Sequence, residues 1–426
     1  MSALPTPDLD RVESDLETLA TYRDPDSPGW TRRVFSDFDR AGREWVAERM
    51  QEAGLTVETD AATNLIGRLA GTAGLPGAIV TGSHTDTVQG GGRFDGIVGV
   101  LGAIEVARCL RRAGVALSHD LVVVDFLGEE PNDFGLSCVG SRAISGALDD
   151  EHLALVSPNG RSLAEALEGC GGRPAEIRGA RWRAGLHCYL ELHIEQGPVL
   201  EQSRVPIGVV TAIAGIYRLV ARITGQPDHA GTTPMSYRRD ALLGAAEAVL
   251  VIERLAGGGV ATTGRLEIRP GAQNVVPAQA DLWAEARSAD EGWLDNFGQS
   301  LTEEVAAIGV RRRLETSINW ISRSAPVGVT DWVAGAISQA ARSQGIEPLS
   351  LPSGAGHDAS HMSRLGPMGM VFVPSRAGRS HCPEEWTDLE DIGRGIAVLA
   401  EAVTICDNRG GECTSSEAPQ RGGAES

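Results

Sequence analysis

Two segments of the chain place ionisable side chains directly after apolar runs. Residues 82–100, GSHTDTVQGGGRFDGIVGV, carry His84, Asp86 and Asp95. The run LVVVDFL is followed by Glu129 and Glu130. Imidazole and carboxylate groups bind divalent metal ions, and a carboxylate can also act as a general base. Each segment taken alone is better explained by a polar turn or by a strand that leaves the core.

Two histidines show the same pattern further along the chain. His193 lies in YLELHIEQG, where it faces away from its two apolar neighbours, and His381 lies in SRAGRSHCPEEWTD after the apolar run GMVFVPS. A hydrogen-bonded core histidine is the alternative interpretation of His193. Taken together, these imidazoles and carboxylates at four strand ends indicate a dinuclear zinc, manganese or cobalt site. Such a site needs a bridging carboxylate, for which Asp95 is the natural candidate.

The elements around these motifs predict an α/β catalytic domain. GAIVTGSH reads as a buried strand, and GVLGAIEVARCLRRAG has apolar residues at helical spacing. Strands and helices alternate in this way through the first half of the chain, which predicts a central mixed sheet flanked by helices. Open α/β sheets bind ligands at the carboxyl ends of their strands, where the ionisable residues lie.

The pattern changes near residue 212. Alternating strands such as YRLVARITG are combined with long amphipathic helices, which predicts an inserted α+β domain. We therefore predict a catalytic domain over residues 1–211 and 327–407, interrupted by the inserted domain over residues 212–326. The Gly/Ser/Glu-rich tail over residues 408–426 is predicted to be disordered.

Composition excludes several classes of function. The chain has 38 basic and 57 acidic residues and a net charge of −19, so we expect no nucleic-acid or anionic-membrane partner. It contains no lysine, which excludes a lysine Schiff base, a Walker-type phosphate site and a carbamylated lysine between two metals. Seven scattered cysteines, no signal peptide and no long apolar run together predict a cytoplasmic protein.

The motifs resemble those of amidases of the hydantoinase/carbamoylase type, a branch of the dinuclear metallopeptidase and aminoacylase superfamily. The resemblance extends in order from about residue 60 to residue 400. Its segments are GSHTDTV with GGGRFDGIVGV, FLGEEPNDFGLSCVGSRA, HIEQGPVLE, GQPDHAGTTPMSYRRDA, NVVPAQADLWAEAR, SGAGHDA and FVPSRAGRSHCPEEWTD.

The resemblance implies a role for each metal-site residue. The implied ligands are His84, Asp95 and His193 for one ion and Asp95, Glu130 and His381 for the other. Asp86 would orient His84, and Glu129 would be the general base for a nucleophilic water held between the ions. Imidazole and carboxylate ligands accept zinc, manganese, cobalt or nickel, so the resemblance implies two divalent ions of undetermined identity.

The resemblance also implies the substrate contacts. His229 would support the developing oxyanion, from the same subunit or from a partner. Asn274 and Arg287 would hold a substrate carboxylate, and Gln196 and His357 would make further substrate contacts. The inserted domain would act as a lid and as the dimerisation surface, so a homodimer is expected.

The implied reaction is hydrolysis of the linear C–N amide or ureido bond of an N-carbamoyl-L-amino acid or a related ureido acid. The alternatives are an allantoate or ureidoglycolate amidohydrolase, an N-acyl-amino-acid amidase or dipeptidase, and a non-catalytic binding relative. Two positions depart from the family pattern: Asp133 stands where an arginine is frequent, and Glu285 where an aspartate is frequent. Neither is a proposed metal ligand, so these two departures concern recognition of the far end of the substrate and not the hydrolysis itself.

Overall fold

A computed structural model describes residues 6–179, 182 and 185–409. The chain forms two compact units. Unit 1 comprises Met1–Val209, Val329–Ser350 and His357–Ser426, and unit 2 comprises Val210–Gly328 and Leu351–Gly356. The sequence-predicted insertion, residues 212–326, differs from the first range of unit 2 by two residues at each end. Most of the predicted tail lies outside the described residues, although Asn408 still belongs to the last helix.

The elements of the described residues, in chain order, have the following bounds. The strands are β1 (Thr56–Thr59), β2 (Leu65–Leu69), β3 (Ala78–His84), β4 (Asp120–Phe126), β5 (Leu186–Ile194), β6 (Gly208–Ile213), β7 (Gly215–Thr224), β8 (Val260–Arg269), β9 (Gln279–Ser288), β10 (Glu315–Ser324), β11 (Val327–Gly328), β12 (Leu349–Ser353) and β13 (Met368–Val373). The helices are α1 (Leu9–Leu19), α2 (Asp37–Glu52), α3 (Ile97–Ala113), α4 (Val139–Ser145), α5 (Asp150–Leu153), α6 (Leu163–Gly169), α7 (Val199–Ser203), α8 (Ala241–Leu255), α9 (Glu291–Arg312), α10 (Asp331–Ser343), α11 (Ala359–Met362) and α12 (Leu389–Asn408).

Unit 1 is built on a mixed sheet, as the sequence predicts. Its strands follow the order β1-β2-β4-β3-β5-β13-β6. The central strands β4, β3, β5 and β13 are parallel, and the outer pairings are antiparallel. The carboxyl ends of the four parallel strands therefore lie along one edge of the sheet, which is where an open α/β sheet binds ligands.

Helices cover this sheet because its central strands are apolar on both faces. Strand β3 is buried along its whole length, as expected for a parallel strand with covered faces. Helix α3 is apolar nearly all round and is buried from Ile97 to Leu110. It packs against α1 and α12, and α12 packs in turn against α10. Among the described helices, none is both long and apolar enough to cross a membrane.

Unit 2 is an antiparallel sheet with two helices. Its strand order is β10-β7-β9-β8, and strand β7 alternates between buried and more exposed residues along its length. The buried set, which includes Leu219 and Ile223, forms one core with Leu301 and Ile308 of α9 and with Ala245 of α8. The alternation in the sequence is thus explained by helices that cover only one face of the sheet.

Candidate metal centre

The parallel register of unit 1 brings the first site residues to one level. His84 is the last residue of β3 and pairs with Phe126, the last residue of β4. Glu129 and Glu130 therefore follow β4 beside His84. His193 lies one residue before the end of β5, opposite Phe372 of β13. Sheet geometry alone thus gathers residues from distant parts of the sequence at one edge.

Asp95 lies at the centre of this group and faces two sides. Its Oδ1 lies 3.2 Å from His193 Nε2 and 3.8 Å from His84 Nε2. Its Oδ2 lies 3.1 Å from His381 Nε2, and Glu130 Oε1 lies 3.2 Å from the same nitrogen. One carboxylate is therefore shared by two ligand sets, each with its own oxygen.

Asp86 contacts both the first histidine and the Glu-Glu segment. His84 Nδ1 lies 3.0 Å from the Asp86 carbonyl oxygen and 3.5 Å from its carboxylate. The same carboxylate accepts hydrogen bonds from the backbone N–H groups of Glu129 and Glu130, at 3.1 and 3.2 Å. Gly96, with φ +69°, leaves room for the imidazole, because a Cβ there would lie 2.3 Å from His84 Nε2. Asp86 thus positions three groups of the site at once.

Glu129 faces the group without belonging to either ligand set. Its Oε2 lies 3.7 Å from His84 Nε2, and its Oε1 accepts a hydrogen bond from the Cys138 thiol at 3.2 Å. Burial raises the pKa of Glu129 well above its ordinary value; His84 opposes this, and the charge of Glu130 adds to it. A carboxylate with a raised pKa is suited to accept a proton and return it.

The histidines respond to the negative charge of the surrounding carboxylates. Burial lowers the pKa of His84, but its hydrogen bond to Asp86 and the charge of Glu129 outweigh burial and raise it well above the ordinary value. Hydrogen bonds to Asp95 and Glu130 raise the pKa of His381 to about 11. The site is therefore built to hold positive charge.

Metal ions fit this requirement and this donor set. The ligand atoms of His84, Asp95 and His193 lie within 4.8 Å of one another, as do those of Asp95, Glu130 and His381. Nitrogen and oxygen donors without a thiolate suit borderline divalent ions. A cation in either set would also neutralise carboxylates that otherwise repel one another in a buried site.

Two predicted substrate contacts of unit 1 also lie at this group. Gln196 donates from Nε2 to Asp95 Oδ2 at 2.7 Å and adopts φ +58° directly after β5. His357 is 2% exposed, and its ring packs edge-on against His193 with the centroids 4.5 Å apart. Burial lowers the pKa of His357 well below its ordinary value, which favours the neutral form of this imidazole.

In unit 2, His229 and Asn274 lie side by side. The backbone at His229 bridges to Val275, and Ala230 N donates to the Asn274 carbonyl at 2.9 Å. His229 Nδ1 accepts hydrogen bonds from the N–H groups of Gly231 and Thr232, at 3.0 and 3.2 Å. An accepting Nδ1 carries no proton, so the exposed Nε2 of a neutral His229 is a hydrogen-bond donor.

Arg287 is held apart from that pair. It lies near the carboxyl end of β9, whereas Asn274 precedes the other end of the strand. Eight residues of extended chain from Gln279 to Arg287 span about 26 Å. Within a single copy of unit 2, Asn274 and Arg287 are therefore too far apart to bind the same small carboxylate.

Glu285, one of the two departures from the family pattern, fixes the arginine. Arg287 Nε donates to Glu285 Oε1 at 2.8 Å, and Arg287 Nη1 donates to the Gly354 carbonyl at 3.0 Å. The second oxygen of Glu285 accepts from Arg218 Nε at 3.1 Å. At the other departure, Asp133 forms an ion pair with Arg33 on the surface of unit 1.

Several residues of the site carry no clear mark in the sequence. Glu191 is fully buried behind His193 and accepts from Ser83, Tyr189 and the Ala359 backbone. Its position two residues before His193, on the same face of β5, is the one feature that could have indicated it. Cys138, Asp358, Ser380 and Glu385 also line or support the group, and nothing in their spacing distinguishes them.

The chain matches a known family over most of its length. The pattern of peptidase family M20/M25/M40 matches residues 80–405. The N-carbamoyl-L-amino-acid amidohydrolase of Paenarthrobacter aurescens is 38% identical, over 93% of this chain and 98% of the relative. The ureidoglycolate hydrolase of Oryza sativa is 36% identical, over 93% and 84%.

A solved structure gives the same result for the fold. The hydantoinase/carbamoylase family amidase of Burkholderia multivorans has a TM-score of 0.87 and 35% identity, over 94% of this chain and 98% of that one. Its fold and the sequence relatives cover both units. The chain therefore belongs to peptidase family M20/M25/M40 and, within it, to the amidases of the hydantoinase/carbamoylase type that its motifs resemble.

Proposed function

We propose that the chain hydrolyses N-carbamoyl-L-amino acids at two divalent cations, with Glu129 as the general base. The observation that carries the proposal is that Asp95 belongs to both ligand sets. Glu129 lies beside these sets and belongs to neither of them. Hydrolysis of a linear amide or ureido C–N bond is the activity common to the relatives, and their substrates are the basis for naming this one.

The residues of the chain divide the chemistry between them. Divalent cations held by His84, Asp95 and His193 and by Asp95, Glu130 and His381 would supply the polarisation of the ureido carbonyl and a lower pKa for the attacking water. Glu129 accepts a proton from that water while the water oxygen bonds to the carbonyl carbon. Glu129 then passes the proton to the leaving nitrogen. Asp86 keeps His84 and the backbone of Glu129 in place throughout. An N-carbamoyl-L-amino acid and one water molecule are thereby converted into the amino acid, carbon dioxide and ammonia.

The substrate carboxylate is assigned to Arg287. A guanidinium is well shaped to bind a carboxylate, and Glu285 holds this one in a single orientation. His229 Nε2 is assigned to the developing oxyanion, for which it is a suitable donor.

The separation of these groups favours a homodimer. A substrate of this class is only a few bonds long, whereas β9 separates Arg287 from the His229–Asn274 pair by about 26 Å. A substrate that Arg287 holds is therefore reached by His229 of a second copy. We propose that the insertion is the dimerisation and lid element that provides this contact.

The proposed function also includes the binding partners and the cellular compartment. Small ureido acids are the partners, and the net charge of −19 argues against nucleic acid and anionic membranes. Cysteines that are all free within the described residues accord with a reducing compartment such as the cytoplasm.

An ammonia-release screen tests the substrate class. The protein, reconstituted separately with Zn²⁺, Mn²⁺, Co²⁺ and Ni²⁺, is incubated with N-carbamoyl-L-amino acids, N-carbamoyl-β-alanine, allantoate, ureidoglycolate and N-acetyl-L-amino acids. Released ammonia is measured for the ureido substrates, and the released amino acid is measured for the N-acetyl substrates, which yield no ammonia. We expect the highest kcat/KM with an N-carbamoyl-L-amino acid. Turnover of N-acetyl-L-amino acids alone would refute the ureido assignment.

Ureidoglycolate or allantoate hydrolysis is the second candidate. It is favoured by the ureidoglycolate hydrolase of Oryza sativa, which is nearly as similar to this chain as the carbamoyl-amino-acid enzyme. A kcat/KM for ureidoglycolate or allantoate above that of every N-carbamoyl-L-amino acid in the same screen would establish it. A non-catalytic relative would lack a ligand or the base, and here all of them are present and adjacent.

A further inference from the structure

Two loops of the metal centre meet at a buried carboxylate that belongs to neither ligand set. Glu385 is 2% exposed, and its Oε1 accepts hydrogen bonds from the backbone N–H groups of Phe94 and Asp95, at 2.9 and 3.1 Å. Its Oε2 accepts from the Ser380 hydroxyl at 2.7 Å. One side chain thus connects the segment of Asp95 with the segment of His381, which are almost 300 residues apart in the sequence.

The Ser380 hydroxyl extends this connection to the ligand itself. It lies 2.9 Å from Asp95 Oδ2, the oxygen that faces His381. Glu385 therefore holds Asp95 in two ways, directly through the backbone N–H and indirectly through Ser380. The backbone contact fixes the position of Asp95 as a whole, whereas the Ser380 contact acts on the oxygen that faces Glu130 and His381.

This ligand set needs such support more than the other one does. His381 has φ +57° in a loop, and its side chain is 48% exposed. A non-glycine residue in the left-handed region costs free energy and persists only where surrounding contacts hold it. His84 and His193, by contrast, are held by strand pairing.

The glycine loop leaves space for the carboxylate. A Cβ at Gly92 would lie 2.2 Å from Glu385 Cδ, a distance that no real side chain could keep. An alanine at this position would therefore push Glu385 away from the Asp95 backbone. The absence of a side chain at Gly92 is thus a condition for the contact.

We propose that Glu385 is a positioning residue that, with Ser380, holds Asp95 and His381 in register for the second divalent cation. The inference rests on the proposed function, because it concerns the ion assigned to Asp95, Glu130 and His381. It predicts that loss of Glu385 weakens the second ion selectively, while the ion at His84, Asp95 and His193 is retained.

Metal binding to the full chain is the direct test. Apoprotein is titrated calorimetrically with Mn²⁺ and with Zn²⁺, and the bound metal is counted by elemental analysis after gel filtration. For Glu385→Ala we expect the second dissociation constant to rise by about 10- to 100-fold, the usual cost of losing an outer-shell partner, with the first unchanged. Glu385→Gln should recover most of the affinity, because an amide can accept from both N–H groups and donate to Ser380.

The neighbouring residue provides a matched control. Glu384 is exposed and pairs only with Arg379 among the described residues, so Glu384→Ala should bind both ions like the wild type. Gly92→Ala, which displaces Glu385 without removing it, should reproduce the Glu385→Ala result. If Glu385→Ala fails to fold, Ser380→Ala replaces it, with the same selective loss expected.

Two results would overturn the inference: wild-type affinity for both ions in Glu385→Ala and Gly92→Ala, or an equal loss of both ions in these variants. Failure of the proposed function is a different result. It would appear as a wild-type protein that binds no pair of ions or hydrolyses none of the ureido acids, whatever the Glu385 variants do.

Discussion

The two candidate ligand sets are built from different kinds of structure. His84 and His193 lie at the ends of paired parallel strands, and their side chains are 2% and 1% exposed. His381 lies in a loop with φ +57°, and its side chain is 48% exposed. Strand pairing therefore fixes the first set, whereas contacts between side chains and loops fix the second. We expect the first set to bind its ion more tightly and the second to exchange more easily.

Loss of the shared ligand Asp95 should weaken metal binding at both sets, and we expect it to have the largest effect of all the substitutions. Asp95→Ala removes the carboxylate that touches His193 and His381, so both ions should be lost and turnover should fall to background. Elemental analysis and an ammonia-release assay measure this. Asp133→Ala, which removes a surface ion pair, is the control and should retain both ions. Two ions in purified Asp95→Ala would contradict the shared-ligand arrangement.

The individual histidines should separate the two sets. His381→Ala should weaken the binding of only one ion, by more than about 100-fold, because loss of a residue that binds the ion directly should cost more affinity than loss of a residue that only supports such a ligand. His193→Ala should weaken the other ion. Calorimetric titration of each apoprotein with Mn²⁺ resolves the two steps, and circular dichroism checks the fold. If His381→Ala lost both ions and His193→Ala only one, the comparison between the sets would be reversed.

Substitution of Glu129 should lower the rate of turnover without changing the binding of either ion. Glu129→Gln removes the base but leaves both ligand sets intact, so turnover should fall by about 10²- to 10⁴-fold with the metal content unchanged. Steady-state kinetics and elemental analysis on the same sample measure both. Full turnover with both ions bound would show that Glu129 is not the base.

The smallest effect that we expect is a pH dependence of the exposed set. In the apoprotein the pKa of His381 is raised to about 11, so a metal ion competes there with a bound proton. The apparent affinity of this set should therefore fall by up to about tenfold for each unit that the pH is lowered from 9 to 7. Titrations of the apoprotein at three pH values measure this slope. His381→Ala should show a smaller slope, and an unchanged slope would assign the proton to another group.

Three of the proposed metal ligands lie at or close to the end of an apolar run. The pattern of strands in an α/β sheet places such ends on one edge, so His84, Glu130 and His193 could be expected to meet before any coordinates were known. The mixed sheet with flanking helices is confirmed. The motifs also identified the family correctly.

Other parts of the site could not be predicted, because they depend on contacts between distant segments. Glu385 follows His381 in a polar stretch and looks no different from the exposed Glu384 beside it. Only the fold shows that one is buried against the Asp95 backbone and the other pairs with Arg379. Cys138 likewise has no feature in the sequence that would place its thiol on Glu129.

The sequence by itself therefore determined which residue types are present for metal binding and at which strand ends they stand, because local periodicity encodes strands and their termini. The tertiary structure decided which oxygen of Asp95 faces which histidine and which side chains support the exposed loop. It also decided that β9 holds Asn274 and Arg287 far apart. The contacts around Asp95 are set by packing between segments almost 300 residues apart in the sequence, and no local pattern records such packing.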